Sequence, residues 1–318
     1  MKLVVTDTQF DEYTSQIAKR FPSITLHLSG SSAEQADLPH DADAALLWFT
    51  DPSLIDPLLA TNPKLKWLHA SSTGVENYVT PALRAHPALL TNARGLFADP
   101  LGEWVIGGML YFAKNFKRLL DDHSACRWER HEVEELKGKT LVIYGYGSIG
   151  RAIAKRAHAF DMHIVACRRS VPQSADEYAS SFVAPAEICS ALAQADYLAV
   201  ATPLTQETRG AIGAEELAAL PQHAVVINVG RGDVIDETAL VDALRDKRLL
   251  GAALDVFSCE PLPSTSPFFT LGNVLLSPHS ADRTASMRQL AIDDFLANLE
   301  RYLNEQPLAH VVDKALGY

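Results

Sequence analysis

Short apolar runs recur along the chain, separated by polar stretches with helical spacing. "KLVVTD", "ITLHLS", "AALLWF", "LKWLHAS" and "ALLTNA" read as strands within residues 1–100. Between the first two, "FDEYTSQIAKRF" places its apolar residues at helical intervals. Such alternation predicts a parallel sheet covered by helices. "EWVIGGMLYFAKNFKRLL", residues 103 to 120, is too long for a strand and predicts a buried helix; the polar "DDHSACRWERHEVEELKGK" follows it. A second alternating series begins at Thr140, with strand candidates "TLVIYG", "HIVAC", "YLAVAT", "AVVINV", "GAALDV" and "NVLLSP". A last helix is expected from roughly Thr284 to Asn304, with a short tail packing back on the first domain. The pattern predicts an α/β protein of two doubly wound parallel-sheet domains. Residues 1–100 plus 285–318 would form one, and residues 101–284 would be inserted into it. A ligand is expected in the cleft between them, outside the carboxyl ends of the strands.

Composition narrows the class. The 318 residues suffice for two cores, and 47% are hydrophobic. No apolar run is long enough to predict a membrane span. The opening "MKLVVTD" reads as a strand rather than a signal peptide. With 28 Lys+Arg against 39 Asp+Glu the net charge is −11, which disfavours nucleic acid as a partner. Cys126, Cys167, Cys189 and Cys259 show no metal-ligand spacing, so no metal is expected. Cys167 reads as a small buried hydrophobe, and a reducing, cytoplasmic setting is expected.

"TLVIYGYGSIGRAIAKRAHAF" adds chemistry to one strand–helix junction. Its loop is Gly145, Tyr146, Gly147, Ser148, Ile149 and Gly150. A strand precedes it and an amphipathic helix follows, the context that a dinucleotide pyrophosphate requires. Gly145 would allow the tight turn, Gly147 the approach of the phosphates and Gly150 close helix–strand packing, with the helix N-terminus facing the anion. An NAD site would end the next strand in an acid that binds the ribose 2′-hydroxyl. That strand, "HIVAC", is followed by Arg168, Arg169 and Ser170. Two guanidinium groups and a hydroxyl suit a 2′-phosphate, so NADP is the expected cofactor, with NAD possible as a poorer one.

These residues, together with "STGVENY", "TNARGLFADPLGEWV", "ATPLTQETRGAI", "NVGRGDVIDE", "GAALDVFSCEPLP" and "LLSPHSA", resemble the D-2-hydroxyacid dehydrogenases over nearly the whole chain. The resemblance is to the group that includes glyoxylate/hydroxypyruvate reductases. It implies a Rossmann cofactor domain inserted into a flavodoxin-like substrate domain, and NADPH-dependent reduction of a 2-keto acid to a D-2-hydroxy acid. It also implies a catalytic set of Arg231, Glu260 and His279. The chemistry suits them: a histidine supplies the proton, a carboxylate keeps it charged and oriented, and an arginine holds the substrate carboxylate. Taken singly, each has a duller explanation; Arg231, for instance, could pair with Asp233.

The resemblance further points to Thr73, Gly74 and Val75 as the loop that binds the substrate carboxylate. Thr202, Pro203 and Thr208 would lie beside the cofactor, with ordinary turn capping as the alternative for the two threonines. Asp255 would lie near the nicotinamide carboxamide, or simply cap a strand end. Val229, Gly230, Arg231, His279 and Ala281 complete the implied cofactor contacts. Trp48 and Phe49 end a strand of the first domain and could wall the pocket or only fill the core. A homodimer through residues 100 to 135 is implied as well. Glu76, Arg94 and Asp161 depart from the commoner residues at their positions. A formate dehydrogenase-like enzyme would pair its histidine with glutamine, so Glu260 argues against it. A non-enzymatic, dinucleotide-sensing binding protein is disfavoured by the intact catalytic set.

Overall fold

Ala44–Leu47 and Trp67–Ala70 are buried at every residue, as a strand must be when helices cover both faces of a parallel sheet. The structure, a computed structural model, describes residues 1–6, 11–172 and 176–318, and of Asp11 and Glu12 only the backbone. Asp7 and Phe10, at the edges of the first predicted strand and helix, lie outside them. The chain divides into two units, Met1–Phe97 with Ala285–Tyr318, and Ala98–Thr284.

The first unit has strands β1 (Lys2–Thr6), β2 (Thr25–Ser29), β3 (Ala44–Leu47), β4 (Trp67–Ala70) and β5 (Leu89–Asn92). All pair in parallel in the order β2-β1-β3-β4-β5, the flavodoxin-like arrangement. Leu47, Leu58, Leu68, Leu83 and Leu90 fill one side of the sheet. On the other, Trp67 stacks on Phe295 and Tyr302 of the helix Met287–Leu303, with ring centroids 5.6 and 5.2 Å apart. The tail returns to this unit: Val311 bridges Thr91 antiparallel, and Val312 N donates to Leu90 O at 2.8 Å. Lys314 Nζ caps the end of the helix Pro81–Ala85, donating to Leu83 O and Ala88 O at 3.0 Å.

The second unit has β6 (Thr140–Tyr144), β7 (His163–Cys167), β8 (Ser181–Val183), β9 (Tyr197–Val200), β10 (Val225–Asn228), β11 (Gly251–Leu254) and β12 (Val274–Leu276). They pair in the order β12-β11-β10-β9-β6-β7-β8, all parallel, which is the Rossmann order extended by one strand. β8 is absent from the sequence reading because three edge residues are too few to show a period.

The helix expected over 103 to 120 is two, Ala98–Ala113 and Phe116–Ser124. They break at Asn115, whose φ of 51° is the left-handed conformation that asparagine tolerates well. The first buries Leu101, Val105, Ile106 and Met109, whereas Leu119 and Leu120 of the second are exposed. Asp161 takes a φ of 57° at its turn, a conformation that aspartate accepts, and Arg94 is exposed. No described helix is long and apolar enough to cross a membrane.

Candidate active site

Arg231, Glu260 and His279 follow β10, β11 and β12, which are neighbours in the sheet, so their loops gather at one carboxyl edge. His279 Nδ1 lies 2.7 Å from Glu260 Oε2, while Glu260 Oε1 accepts from Phe257 N at 2.9 Å. Burial opposes ionisation of Glu260. The hydrogen bonds from His279 and the Phe257 amide outweigh it and hold the carboxyl below its ordinary range. The hydrogen bond to Glu260 raises the His279 pKa above its ordinary value, against burial and the charge of Arg231. The pair is a carboxylate beside an imidazole biased toward its charged form.

Backbone bonds hold these loops in place. His279 has a φ of 50°, an unusual conformation for a bulky residue, and its amide donates to Asp255 O at 2.9 Å. Asp255 Oδ1 accepts from Ser280 N and Ala281 N at 2.9 and 3.1 Å. Asp255 therefore caps the histidine loop, and burial leaves it 1% exposed. Glu237 clamps Ser258 through its amide and hydroxyl, at 2.6 and 2.7 Å. Asn228, which the sequence reading passed over, accepts from Gly230 N through Oδ1 and donates to Arg231 O through Nδ2, both at 3.0 Å. Its signal was a polar residue ending an apolar strand. A Cβ on Gly232 would lie 1.9 Å from Phe257 C, so the arginine and glutamate loops touch backbone to backbone. Arg231 Nη1 donates to Gly230 O at 2.8 Å, and Asp233 pairs with Arg209.

The glycine-rich loop separates three roles. Gly145 has a φ of 101°, and a Cβ there would meet Ala201 O and Thr202 N at 2.8 Å. A Cβ on Gly150 would lie 2.1 Å from Gly145 O. Packing thus dictates both. A Cβ on Gly147 would meet nothing within 4 Å, so the protein's own packing gives no reason for a glycine there. Gly147 also starts the helix Ser148–His158 without a side-chain cap, leaving first-turn amides for an anion. A pyrophosphate fits both observations. Tyr146 is buried, and Ile149 and Ser148 complete the turn.

Around this loop, Arg168, Arg169 and Ser170 are exposed at the end of β7. Thr208 Oγ1 donates to Pro203 O at 2.7 Å and accepts from Thr205 N at 2.8 Å, so it does cap its own turn. Thr202 is buried, and a Cβ on Gly230 would lie 2.8 Å from Thr202 O. Val229 is buried, its amide donating to Val200 O at 3.1 Å.

In the first unit, the ends of β3, β4 and β5 converge. Asn92 Nδ2 donates to Thr73 O at 2.6 Å, Ala93 N donates to Ser72 O at 3.1 Å, and Thr73 Oγ1 donates to Ala93 O at 3.2 Å. The amides of Thr73, Gly74 and Val75 have no protein acceptor among the described residues, and successive free amides make an anion-binding concavity. The Val75 side chain is in the core. Trp48 is 3% exposed and packs on Tyr13, with centroids 4.7 Å apart, whereas Phe49 has a φ of 43° and is 47% exposed. Tyr78 OH donates to Thr50 O at 2.8 Å and Phe49 N to Ser71 Oγ at 3.4 Å, tying the aromatic pair to the 71–75 loop.

The NAD binding domain of the D-isomer specific 2-hydroxyacid dehydrogenases matches residues 106–281. Glyoxylate/hydroxypyruvate reductase B of Escherichia fergusonii is 32% identical over 270 residues, covering 81% of this chain and 82% of that protein. D-3-phosphoglycerate dehydrogenase of Methanocaldococcus jannaschii is 29% identical over 98% of this chain, which spans only 59% of that longer protein. Among solved structures, a D-isomer specific 2-hydroxyacid dehydrogenase from Xanthobacter autotrophicus Py2, in complex with NADPH and MES, superposes with a TM-score of 0.86 at 27% identity, covering 100% of this chain and 99% of that one. An NADPH-dependent glyoxylate/hydroxypyruvate reductase from Sinorhizobium meliloti, in complex with NADP and sulfate, gives 0.86 at 26% identity with the same coverage. With more than half of its length matched to the family's NAD binding domain, the chain belongs to the D-isomer specific 2-hydroxyacid dehydrogenases, a family of NAD(P)-dependent oxidoreductases.

Proposed function

We propose that the protein reduces a small 2-keto acid, of the glyoxylate and hydroxypyruvate kind, to the D-2-hydroxy acid with NADPH. The observation that supports this best is the 2.7 Å pair of Glu260 and His279, on a loop edge shared with Arg231. Residues 101–284 would bind the dinucleotide and residues 1–100 with 285–318 the substrate. Gly147 and the start of the helix Ser148–His158 fit a pyrophosphate, and Arg168, Arg169 and Ser170 fit a 2′-phosphate. Val229, Gly230, Thr202, Pro203, Thr208, Asp255 and Ala281 would complete the cofactor's surroundings. The nicotinamide, when bound, supplies the hydride.

The rest belongs to this chain. Glu260 accepts the hydrogen bond from Nδ1–H of His279, so Nε2 is the atom that hands a proton to the substrate's carbonyl oxygen. Hydride to the carbonyl carbon and proton to the oxygen give the alcohol. The Arg231 guanidinium binds the substrate carboxylate and favours negative charge developing on the oxygen. The free amides of Thr73, Gly74 and Val75 bind the carboxylate too. Phe49 limits substrate bulk, with Trp48 fixed behind it, edge-on at 5.7 Å. A homodimer is the proposed assembly. The cytoplasm is the proposed compartment, where the free thiols of all four cysteines would stay reduced.

The test is a panel of kcat/KM values with NADPH for glyoxylate, hydroxypyruvate and phenylpyruvate. Highest values for the small acids support the reading. Preference for phenylpyruvate would make Phe49 a stacking partner rather than a limit. No turnover of any 2-keto acid would contradict the proposal.

A further inference from the structure

Asp176 stands just ahead of β8, the strand that pairs beside β7 and so beside the strand end that bears Arg168, Arg169 and Ser170. Both oxygens of Asp176 lie 2.9 Å from Tyr146 OH, in the glycine-rich loop. Arg151, in the first turn of the following helix, pairs with Oδ2 at 2.5 Å. Oδ1 also accepts from Tyr178 N and Ala179 N at 2.8 and 2.7 Å. The Arg151 guanidinium lies over the Tyr178 ring, 5.4 Å from its centroid, and Tyr146 packs edge-on against Phe182 of β8 at 5.4 Å. From β8 the link reaches the arginines, since Arg168 N donates to Val183 O at 3.1 Å. The chemistry assigned above uses none of these Asp176 bonds.

A carboxylate bound to a hydroxyl, a guanidinium and two amides has little capacity left to accept a ribose hydroxyl. Its partners come from two sides, the loop and helix suited to the pyrophosphate (Tyr146, Arg151) and the approach to β8 (Tyr178, Ala179), the strand that holds Arg168 N. Long arginine side chains on an unfastened segment would lose binding free energy to ordering, and a preformed segment avoids that loss. We propose that Asp176 is a positioning residue for cofactor choice, fastening β8, and through it the end of β7 that bears Arg168 and Arg169, to the glycine-rich loop so that pyrophosphate and 2′-phosphate meet one preformed surface. This rests on the reading that Arg168 and Arg169 bind the 2′-phosphate. Arg151 offsets the charge of the clasp, so that Asp176 holds the segment without repelling the phosphate.

The experiment compares Asp176→Asn, Arg151→Met and the double variant Arg168→Ala/Arg169→Ala, titrating NADPH and NADH by fluorescence and measuring kcat/KM with each. The double arginine variant should weaken NADPH by roughly a hundredfold and NADH far less. Asp176→Asn should weaken NADPH about tenfold while NADH binding and kcat stay within about twofold. Added to the double arginine variant, it should cost nothing further, since no arginine remains to be positioned. A selective loss in the arginine variant with equal losses, or none, for Asp176→Asn overturns the positioning role and leaves the arginine reading intact. Equal losses of both cofactors in the arginine variant overturn the arginine reading, and the positioning role with it. Tighter NADPH binding by Asp176→Asn also overturns the proposal, because the charge of Asp176 would then matter more than its grip. Should Asp176→Asn fail to fold, Arg151→Met decides: its side chain is 50% exposed, so it tests the same clasp at the surface, and the same selective loss is required.

Discussion

Glu260 grips the His279 ring with one oxygen, 2.7 Å from Nδ1, and the Phe257 amide with the other, at 2.9 Å. The carboxylate cannot swing away from the imidazole without releasing the loop, so a single group both favours the charged ring and aims it.

This pair sets a pH dependence. Reduction requires protonated His279, whose pKa lies above its ordinary 6.5. The rate of reduction should be level on the acid side and fall as pH rises through that raised value. Glu260→Gln removes the main cause of the elevation, so the fall should move to lower pH, which a kcat/KM–pH profile will read. Stability follows the same groups. The histidine's share is full below 6.5 and is lost as pH rises through the raised pKa. The glutamate's share is full above 4.5 and is lost as pH falls through its lowered pKa. Chemical denaturation should therefore separate wild type from Glu260→Gln most between these two ordinary values.

Gly147 and Gly150 should respond oppositely to alanine. Gly147 has an ordinary φ of −88° and open space where a Cβ would stand, so Gly147→Ala should keep its melting temperature and lose dinucleotide affinity. A Cβ on Gly150 would collide with Gly145 O, and Gly150→Ala should lose about 1–3 kcal/mol of stability as overpacking does. Calorimetry with cofactor titration separates the two. Equal loss of stability in both would remove the argument that Gly147 is reserved for a ligand.

The second unit exposes Trp128 at 98%, with Leu119, Leu120 and Val133 also outside. A fully exposed tryptophan is a strong candidate for an interface anchor. Sedimentation should give twice the 34.7 kDa chain mass, and Trp128→Ala should weaken the dimer by roughly thirtyfold or more. A monomer at micromolar concentration would contradict the dimer.

Much of this was legible in the sequence because parallel strands are short, apolar and separated by helical spacing. β10, β11 and β12 could be placed from "AVVINV", "GAALDV" and "NVLLSP", while the choice of Arg231, Glu260 and His279 after them came from the family resemblance. The long apolar segment misled because periodicity does not register one left-handed Asn115. Trp48 and Phe49 looked alike as neighbours, yet Trp48 is buried in the core while Phe49, at a φ of 43°, is exposed. Asp176 gave no signal, since Tyr146 stands 30 residues away and Arg151 stands 25 away. Such a clasp exists only once β6, β7 and β8 are side by side. Asp255 could be placed near the site, but its bonds to Ser280 and Ala281 depend on the loop geometry after β12.

The central claim is that His279 delivers the proton. Its most direct test is kcat for NADPH-driven 2-keto acid reduction by His279→Ala, with NADPH affinity measured on the same preparation. The account predicts a fall in kcat of roughly a hundredfold or more, the contribution of general acid catalysis, with NADPH affinity little changed. A His279→Ala enzyme that keeps its kcat would mean that the proton comes from another group and that the Glu260–His279 pair only holds the loop.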